Sequence, residues 1–195
     1  MIATALLAAV SYAATNVDGA FVLLAFFARS NVKHTHVVVG TFVGMAVLVV
    51  AAMLLAAVFA VLVPHDLGLL GALPVLIGLR QFWTAWSGRG SGIVDISLGA
   101  GAFEVIELVA IRTIANGGDN IAVYIPLFAG RSLSAQILMC VVFAILTGVW
   151  CLAASWLVEH STFVAHIRRW GRWITPIVLI SLGTLIFFFS DALRH

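Results

Sequence analysis

The chain has 195 residues, of which 63% are hydrophobic and 9% are charged, and its formal net charge is +2. A soluble domain has about 25% charged residues, so this composition excludes a soluble globular enzyme and leaves no polar segment long enough for a catalytic domain. No basic stripe indicates binding to nucleic acid. We therefore expect an all-α integral membrane protein, multi-pass in the cell (inner or plasma) membrane, with residues 1–195 forming a single transmembrane domain.

Six apolar stretches are each about the length that a helix needs to cross a bilayer, which is about 20 residues. In chain order they are approximately Ile2–Ala28, Val37–Val63, Leu67–Trp86, Ala102–Ala129, Leu133–Val158 and Ile174–Phe189. The first stretch lacks a basic leader, so we interpret it as a retained helix and not as a cleaved signal peptide. The sequence thus predicts about six transmembrane helices.

Basic residues predict the orientation of these spans, because Lys and Arg are enriched in cytoplasmic loops. Seven basic residues lie near the loops after the first, third and fifth spans: Arg29, Lys33, Arg80, Arg89, Arg168, Arg169 and Arg172. On the opposite side there are two, Arg131 and Arg194. Both termini are therefore predicted to be extracytoplasmic.

The first span contains polar side chains where the hydrocarbon core should exclude them. Ser11, Thr15 and Asp18 are spaced at four and three, which would place them on one face of a continuous helix. A carboxylate at the bilayer centre costs at least about 2.5 kcal/mol on the insertion scale, so its presence indicates a function. Asp18, with Thr15 and Asn16 beside it, is a candidate oxygen ligand for a cation.

The fourth span contains the longest polar run, ANGGDN. The polar side chains on one face of this predicted helix are Arg112, Asn116, Asp119 and Asn120. Gly117 and Gly118 each cost up to about 1 kcal/mol in a helix interior, so the pair favours local unwinding that frees backbone carbonyls. Pro126 removes a further helical hydrogen bond. Because unwound backbone at membrane depth persists only in protein or beside a cavity, we predict a midplane binding site here, with these three residues as helix-break and gating positions.

An offset of 101 residues aligns the two halves of the chain, with Asp18 on Asp119 and the segment Ala13–Ala28 on Ile114–Ala129. Each half would contain three spans, an odd number, so the halves would enter the membrane in opposite senses. This is the inverted-repeat plan of secondary transporters. The sequence predicts repeat one at 1–88, a cytoplasmic linker at 89–101 and repeat two at 102–195.

Other candidate ligands are weaker. Cys140 and Cys151 are eleven positions apart in one span, about 16 Å along a helix, so we interpret them as packing residues and not as a bridge or a thiol–disulfide carrier. Three methionines are soft-ligand candidates that we interpret as packing or lipid-facing, namely Met45, Met53 and Met139. Loop histidines that could collect metal before transport are His34, His36, His160 and His166.

These motifs resemble a known family. ATNVDGAFVLLAFF, LPVLIGL and ANGGDNIAVYIPLFA closely resemble segments of the cadmium-resistance (CadD-type) transporters of the lysine-exporter superfamily, and the resemblance covers essentially the whole chain. It implies a bacterial exporter of divalent cations, chiefly cadmium, whose ion site lies in the acidic motifs of the first and fourth helices. The matching positions are Asn16, Asp18, Asn116, Asp119 and Asn120.

The chain departs from that family pattern at two positions. Gly19 stands where the family motif T-N-I-D-D has its second acid, and Arg112 stands where the family tends to have an apolar residue. Both departures reduce the negative charge at the site. Two interpretations of Arg112 stay open: it extends towards Glu104 or Glu107, or it pairs with Asp119 when the site is empty.

We expect a secondary transporter that exports cadmium or a related ion such as zinc or manganese by proton antiport, since the chain has no phosphate-cradling loop. Exporting a divalent ion against about 100 mV costs roughly 4–5 kcal/mol. No enzymatic activity and no cofactor are expected, because the metal ion and protons are transported substrates. The lipid bilayer is an expected partner, and the sequence does not decide whether the protein forms a homo-oligomer. The alternative is an amino-acid (lysine-type) exporter in which Arg112 binds the carboxylate and Asp18 or Asp119 the amine.

Overall fold

A computed structural model describes residues 1–30, 32–62, 70–86 and 101–158, together with 176, 177, 179–181, 183, 184 and 187. In chain order the helices of these residues are α1 (Ile2–Thr15), α2 (Val17–Phe27), α3 (His34–Leu62), α4 (Ala72–Trp86), α5 (Ala102–Asn116), α6 (Gly118–Phe128) and α7 (Leu133–Val158). The described part contains no strand, which confirms the all-α prediction. Half of the sixth predicted span lies outside the described residues, as do most of the linker at 89–101 and both histidines of the last loop.

Two helices, α3 and α7, are long and apolar enough to cross a membrane, and the pair α1 and α2 adds a third span if it is counted as one bent helix. α3 has 29 residues and a mean hydropathy of 3.0, and α7 has 26 residues and a mean hydropathy of 2.6. In each, 28% of the most apolar window is buried. The remaining apolar surface faces outward, as expected for helices in lipid. Within the described residues, two to three of the six predicted spans are thus seen as candidates.

The first and fourth spans are each two helices. The prediction of one continuous helix is wrong for the first span, whereas in the fourth span the break lies at the glycine pair where local unwinding is predicted. α1 ends at Thr15 and α2 begins at Val17, with a bend of 59° between them. α5 ends at Asn116 and α6 begins at Gly118. The single residues at the breaks have similar backbone angles, φ −103° and ψ 8° at Asn16 and φ −91° and ψ 19° at Gly117.

A hydrogen bond from a side chain to the backbone accompanies the first break. The side-chain Nδ2 of Asn16 donates to the carbonyl of Tyr12 at 2.9 Å, one turn back on α1. Asparagine disfavours helix interiors because its side chain offers backbone groups such an alternative partner. The breaks at Asn16 and Gly117 are 101 residues apart, the same offset that aligns the two halves.

Close packing of α3 on α5 positions the second break. A Cβ at Gly40 would lie 2.6 Å from the carbonyl oxygen of Ile106, and a Cβ at Gly44 would lie 2.6 Å from Cβ of Thr113. Small residues four apart allow membrane helices to approach this closely. One turn further along α3, Leu48 packs directly on Gly117, where a Cβ would lie 2.8 Å from Leu48 Cδ2.

Two apolar cores lie on either side of the breaks. The first is built mainly from α1, α3, α6 and α7 and includes Tyr12, Tyr124 and Phe143. The second is built mainly from α2, α5 and α7 and includes Phe26 and Val109. Both breaks fall between these cores, and of the polar residues at and beside them Asn16 and Asn120 are buried whereas Asn116 is exposed.

Candidate functional site

Both helix breaks border one cavity of about 30 Å³, enclosed by residues of α1, α2, α3, α5, α6 and α7 and by Asn16 and Gly117 of the breaks. This volume is enough for a water molecule or a desolvated ion. The side chains that give the wall its hydrogen-bonding character are the carboxamides of Asn16, Asn116 and Asn120 and the hydroxyls of Tyr12, Thr41 and Thr113.

Two buried carboxamides join the halves across the cavity. Nδ2 of Asn120 donates to Oδ1 of Asn16 at 3.3 Å, which ties the first turn of α6 to the break between α1 and α2. Nδ2 of Asn16 donates to the carbonyl of Tyr12 at 2.9 Å and to the hydroxyl of Tyr124 at 3.1 Å. Asn16 is 7% exposed and Asn120 is 3% exposed, so these amides have little access to solvent.

The hydroxyls of the wall also direct their protons away from the cavity. Oγ1 of Thr41 donates to its own helix at 2.8 Å, and Oγ1 of Thr113 does the same at 2.9 Å. The hydroxyl of Tyr12 donates to Oγ1 of Thr147 at 3.0 Å. With their protons committed, these oxygens keep lone pairs to offer, because a hydroxyl has one donor and two acceptor sites.

One acceptor on this wall is unsatisfied. Oδ1 of Asn120 is buried and has no hydrogen-bond partner within the described part of the chain. Leaving a buried polar atom without a partner costs about 1–3 kcal/mol, so natural structures rarely do so without a reason. Asn120 is thus a residue of the wall with a buried acceptor that lacks a partner, and the same wall includes the guanidinium of Arg112.

Aromatic side chains brace this wall, and the sequence analysis missed them. Nε1 of Trp150 donates to the backbone carbonyl of Asn16 at 2.9 Å, and its ring meets that of Tyr12 edge-on at 6.0 Å. The ring of Tyr124 lies 4.5 Å from that of Phe143. The sequence did contain an indication of this role for tyrosine. The chain has two tyrosines, and both lie within predicted spans and near the polar motifs, away from the membrane interfaces.

The two acids of the predicted cation site lie beside the cavity and not on its wall. Asp18 is in the first turn of α2, and Asp119 is in the first turn of α6. Both are partly buried, and Oδ1 of Asp119 accepts the backbone N–H of Asn120 at 3.0 Å. The positive end of a helix dipole stabilises a carboxylate in this position by about 1 kcal/mol. Within the described residues, no group of three or more His, Cys, Asp or Glu side chains is arranged to hold a metal.

The remaining predicted residues divide between the wall and its surroundings. Arg112, Asn116 and Gly117 line the cavity, Arg112 partly buried and Asn116 exposed. Thr15 is not on the wall, and its hydroxyl donates to the carbonyl of Ser11 at 3.0 Å.

The two other predicted helix-break positions are also off the wall. Gly118 has open space where a Cβ would be, with no atom within 4 Å. Pro126 lies inside α6, two residues before its end at Phe128.

Gly19 and Arg112, the two positions at which the motifs depart from the family pattern, both line the cavity. A Cβ at Gly19 would lie 3.9 Å from Oδ1 of Asn16 and 3.8 Å from Nδ2 of Asn116, so this glycine sits between two carboxamides of the wall.

The chain was compared with protein families, curated proteins and solved structures. The model of a family described as cadmium resistance transporter matches residues 12–195. No curated protein and no solved structure matches the chain. The matched range includes both helix breaks and every residue on the wall of the cavity.

Proposed function

The chain belongs to the cadmium resistance transporter family, and we propose that it is a secondary transporter that exports a divalent metal ion through the cavity between its helix breaks. The resemblance seen in the sequence motifs is confirmed by this membership. The ion is the transported substrate and not a resident cofactor. The family supports a membrane protein that moves metal ions, and the route and coupling are our proposal.

The observation that supports this route is the unpartnered Oδ1 of Asn120 on an acceptor-rich wall. A cation that enters the cavity gives this oxygen the partner that it lacks. The lone pairs of the Asn16 carboxamide and of the Thr41 and Thr113 hydroxyls are the further oxygens available there. Magnesium, calcium and manganese are typically bound by such oxygens, and cadmium and zinc accept them alongside softer ligands.

Asp18 and Asp119 are proposed to supply the coupling charge. They flank the cavity in the first turns of α2 and α6, where their negative charge balances an entering cation. When the ion leaves, a carboxylate in a poorly solvated site is neutralised most easily by a proton. Protons that enter down their gradient and metal that leaves against its gradient would then alternate at the same pair of acids.

The two breaks are separated by the same 101 residues that align the two halves of the sequence. This agreement supports an inverted repeat as the basis of alternating access. In transporters of this plan, discontinuous helices from each repeat meet near the bilayer midplane, and one repeat rocks against the other around the site. Asn16 and Gly117 are the break residues of the two halves here, and both line the cavity.

The alternative, an amino-acid exporter, is favoured by one observation, the presence of Arg112 on the wall. A guanidinium binds a carboxylate well and opposes a metal cation. The family weighs against this alternative, since the family model that matches residues 12–195 is described as cadmium resistance transporter. We therefore place metal export first.

Flux into inverted membrane vesicles tests the proposal. Vesicles containing the protein receive Cd²⁺, Zn²⁺, Mn²⁺, Ca²⁺ or labelled lysine outside, with and without an acidic interior, and vesicles lacking the protein serve as the control. We expect uptake of at least one of the divalent ions, stimulated by the acidic interior, and no uptake of lysine. Lysine uptake without metal uptake would establish the alternative, and metal uptake indifferent to the pH gradient would remove proton antiport.

A further inference from the structure

Met45 is the one methionine on the wall of the cavity in the described structure, which includes all four methionines of the chain. It lies on α3 and is 4% exposed. The preceding residue, Gly44, fixes α3 against α5 by close backbone contact, so the register that brings Met45 to the cavity is set by packing. The sequence alone had suggested that this methionine packs or faces lipid.

The thioether of Met45 differs in kind from the rest of the wall. The other acceptors there are carboxamide and hydroxyl oxygens, which are hard ligands suited to calcium, magnesium and manganese. A thioether is a soft, polarizable ligand that favours soft cations. Ligand softness in a wall with oxygens alone does not favour cadmium over manganese, whereas one sulfur adds a preference for the softer ion.

We propose that Met45 is the specificity-determining ligand of the cavity and that it biases the transporter towards soft divalent cations, cadmium above manganese and calcium. The inference rests on the proposed function, since it assumes that the cavity holds the transported ion. Asn120 Oδ1 supplies the independent indication of a ligand in this space, because it is a buried acceptor without a partner among the described residues.

Met139 provides a matched control for a test of this role. It is 0% exposed and packs in the same apolar core, but it does not line the cavity. Leucine is close to methionine in volume and cannot donate a sulfur lone pair, and such swaps are among the best tolerated in protein cores. Met45→Leu thus removes a buried thioether from a residue that lines the cavity, and Met139→Leu removes one from a residue that does not.

The experiment measures Cd²⁺ and Mn²⁺ affinity for purified full-length protein in detergent by equilibrium dialysis. We expect Met45→Leu to weaken Cd²⁺ binding at least about tenfold, the lower end of the loss seen when a metal's outer-shell partners are removed, and to leave Mn²⁺ binding unchanged. Met139→Leu should change neither affinity.

Two results would overturn the inference. An unchanged ratio of Cd²⁺ to Mn²⁺ affinity in Met45→Leu would show that the sulfur does not contribute to selectivity. An equal loss of both affinities would show that Met45 only shapes the site. If the proposed function itself is wrong, the wild-type protein will bind neither ion, and this result is distinct from the two above.

Discussion

Asn16 links the backbone of one half of the protein to the side chains of the other. Its Nδ2 donates to the carbonyl of Tyr12, its own carbonyl accepts Nε1 of Trp150, and its Oδ1 accepts Nδ2 of Asn120. One residue therefore ends a helix, anchors α7 and orients the carboxamide whose oxygen is left for a ligand. Such networks hold their members in one geometry only when each donor finds its acceptor.

At the same scale, Asp119→Asn tests the coupling role of the acids. The carboxamide keeps the shape of the side chain and an oxygen to accept the N–H of Asn120, but it has neither the charge to balance a divalent ion nor a site for a transported proton. We expect metal flux in vesicles to be lost, with the amount of inserted protein unchanged. Glu104→Gln is the matched control, because Glu104 is an exposed acid in the first turn of α5, and its flux should equal that of the wild type. Normal flux from Asp119→Asn would remove this acid from the mechanism.

Arg112→Leu tests whether the guanidinium on the cavity wall opposes the metal. Unit charges about 4 Å apart interact by about 4 kcal/mol at an effective dielectric constant of about 20, so removing the positive charge should tighten Cd²⁺ binding by roughly tenfold or more. Turnover should fall because release becomes slower. Arg112→Lys keeps the charge and should bind metal as the wild type does.

Other outcomes of the Arg112 titration lead to other interpretations. Unchanged affinity with less inserted protein would mean that Arg112 serves membrane insertion by reaching towards Glu104 or Glu107. Absence of metal binding in both proteins would favour the amino-acid exporter.

At the scale of elements, the second break depends on the contact between α3 and Gly117. Because a Cβ at Gly117 would overlap the side chain of Leu48, we expect Gly117→Ala to destabilise the protein by about 1–3 kcal/mol, the usual cost of overpacking, and to reduce transport. Gly118→Ala should have little effect, since its Cβ would meet no atom within 4 Å. Thermal unfolding and vesicle flux measure both effects.

A double variant separates packing from backbone conformation at Gly117. If overlap with Leu48 is the cause, Gly117→Ala should cost less stability in a Leu48→Ala background than in the wild type. An equal cost in both backgrounds, with Leu48→Ala alone folded, would mean that the break requires glycine for its backbone. Equal damage from Gly118→Ala would contradict the contact-based explanation.

The sequence predicted some elements well and others not, for physical reasons. Leu133–Val158 was predicted with the bounds that α7 has, because a long uninterrupted apolar run has few other possible structures. The break at Asn16 was not predicted, because it lies at a single asparagine inside an otherwise apolar stretch with neither proline nor a glycine pair to mark it. The carboxamides were recognised from their motif. The roles of Met45 and Trp150 depend on how α3 and α7 pack, which spacing within one segment does not reveal.

At the scale of the whole molecule, the inverted repeat predicts that equivalent loops lie on opposite sides of the membrane. Ser30, before α3, and Ser132, before α7, are exposed residues of such loops. In a chain whose native Cys140 and Cys151 are replaced by alanine, Ser30→Cys should react with an impermeant thiol reagent only in inverted vesicles. Ser132→Cys should react only in right-side-out vesicles. Labelling of both from the same side would contradict the inverted repeat.

The most direct test of the central claim is equilibrium binding of Cd²⁺ to purified wild type and Asn120→Leu. The substitution removes the unpartnered buried oxygen from the cavity and keeps the approximate size of the side chain. Gln136→Leu is the control, because it removes a carboxamide that bonds to Phe128 and Arg131 away from the cavity, and thermal unfolding verifies that each variant is folded. Our account predicts that Asn120→Leu loses Cd²⁺ affinity by about tenfold or more while Gln136→Leu binds as the wild type does. Wild-type affinity in a folded Asn120→Leu protein would contradict the assignment of this cavity as the metal site.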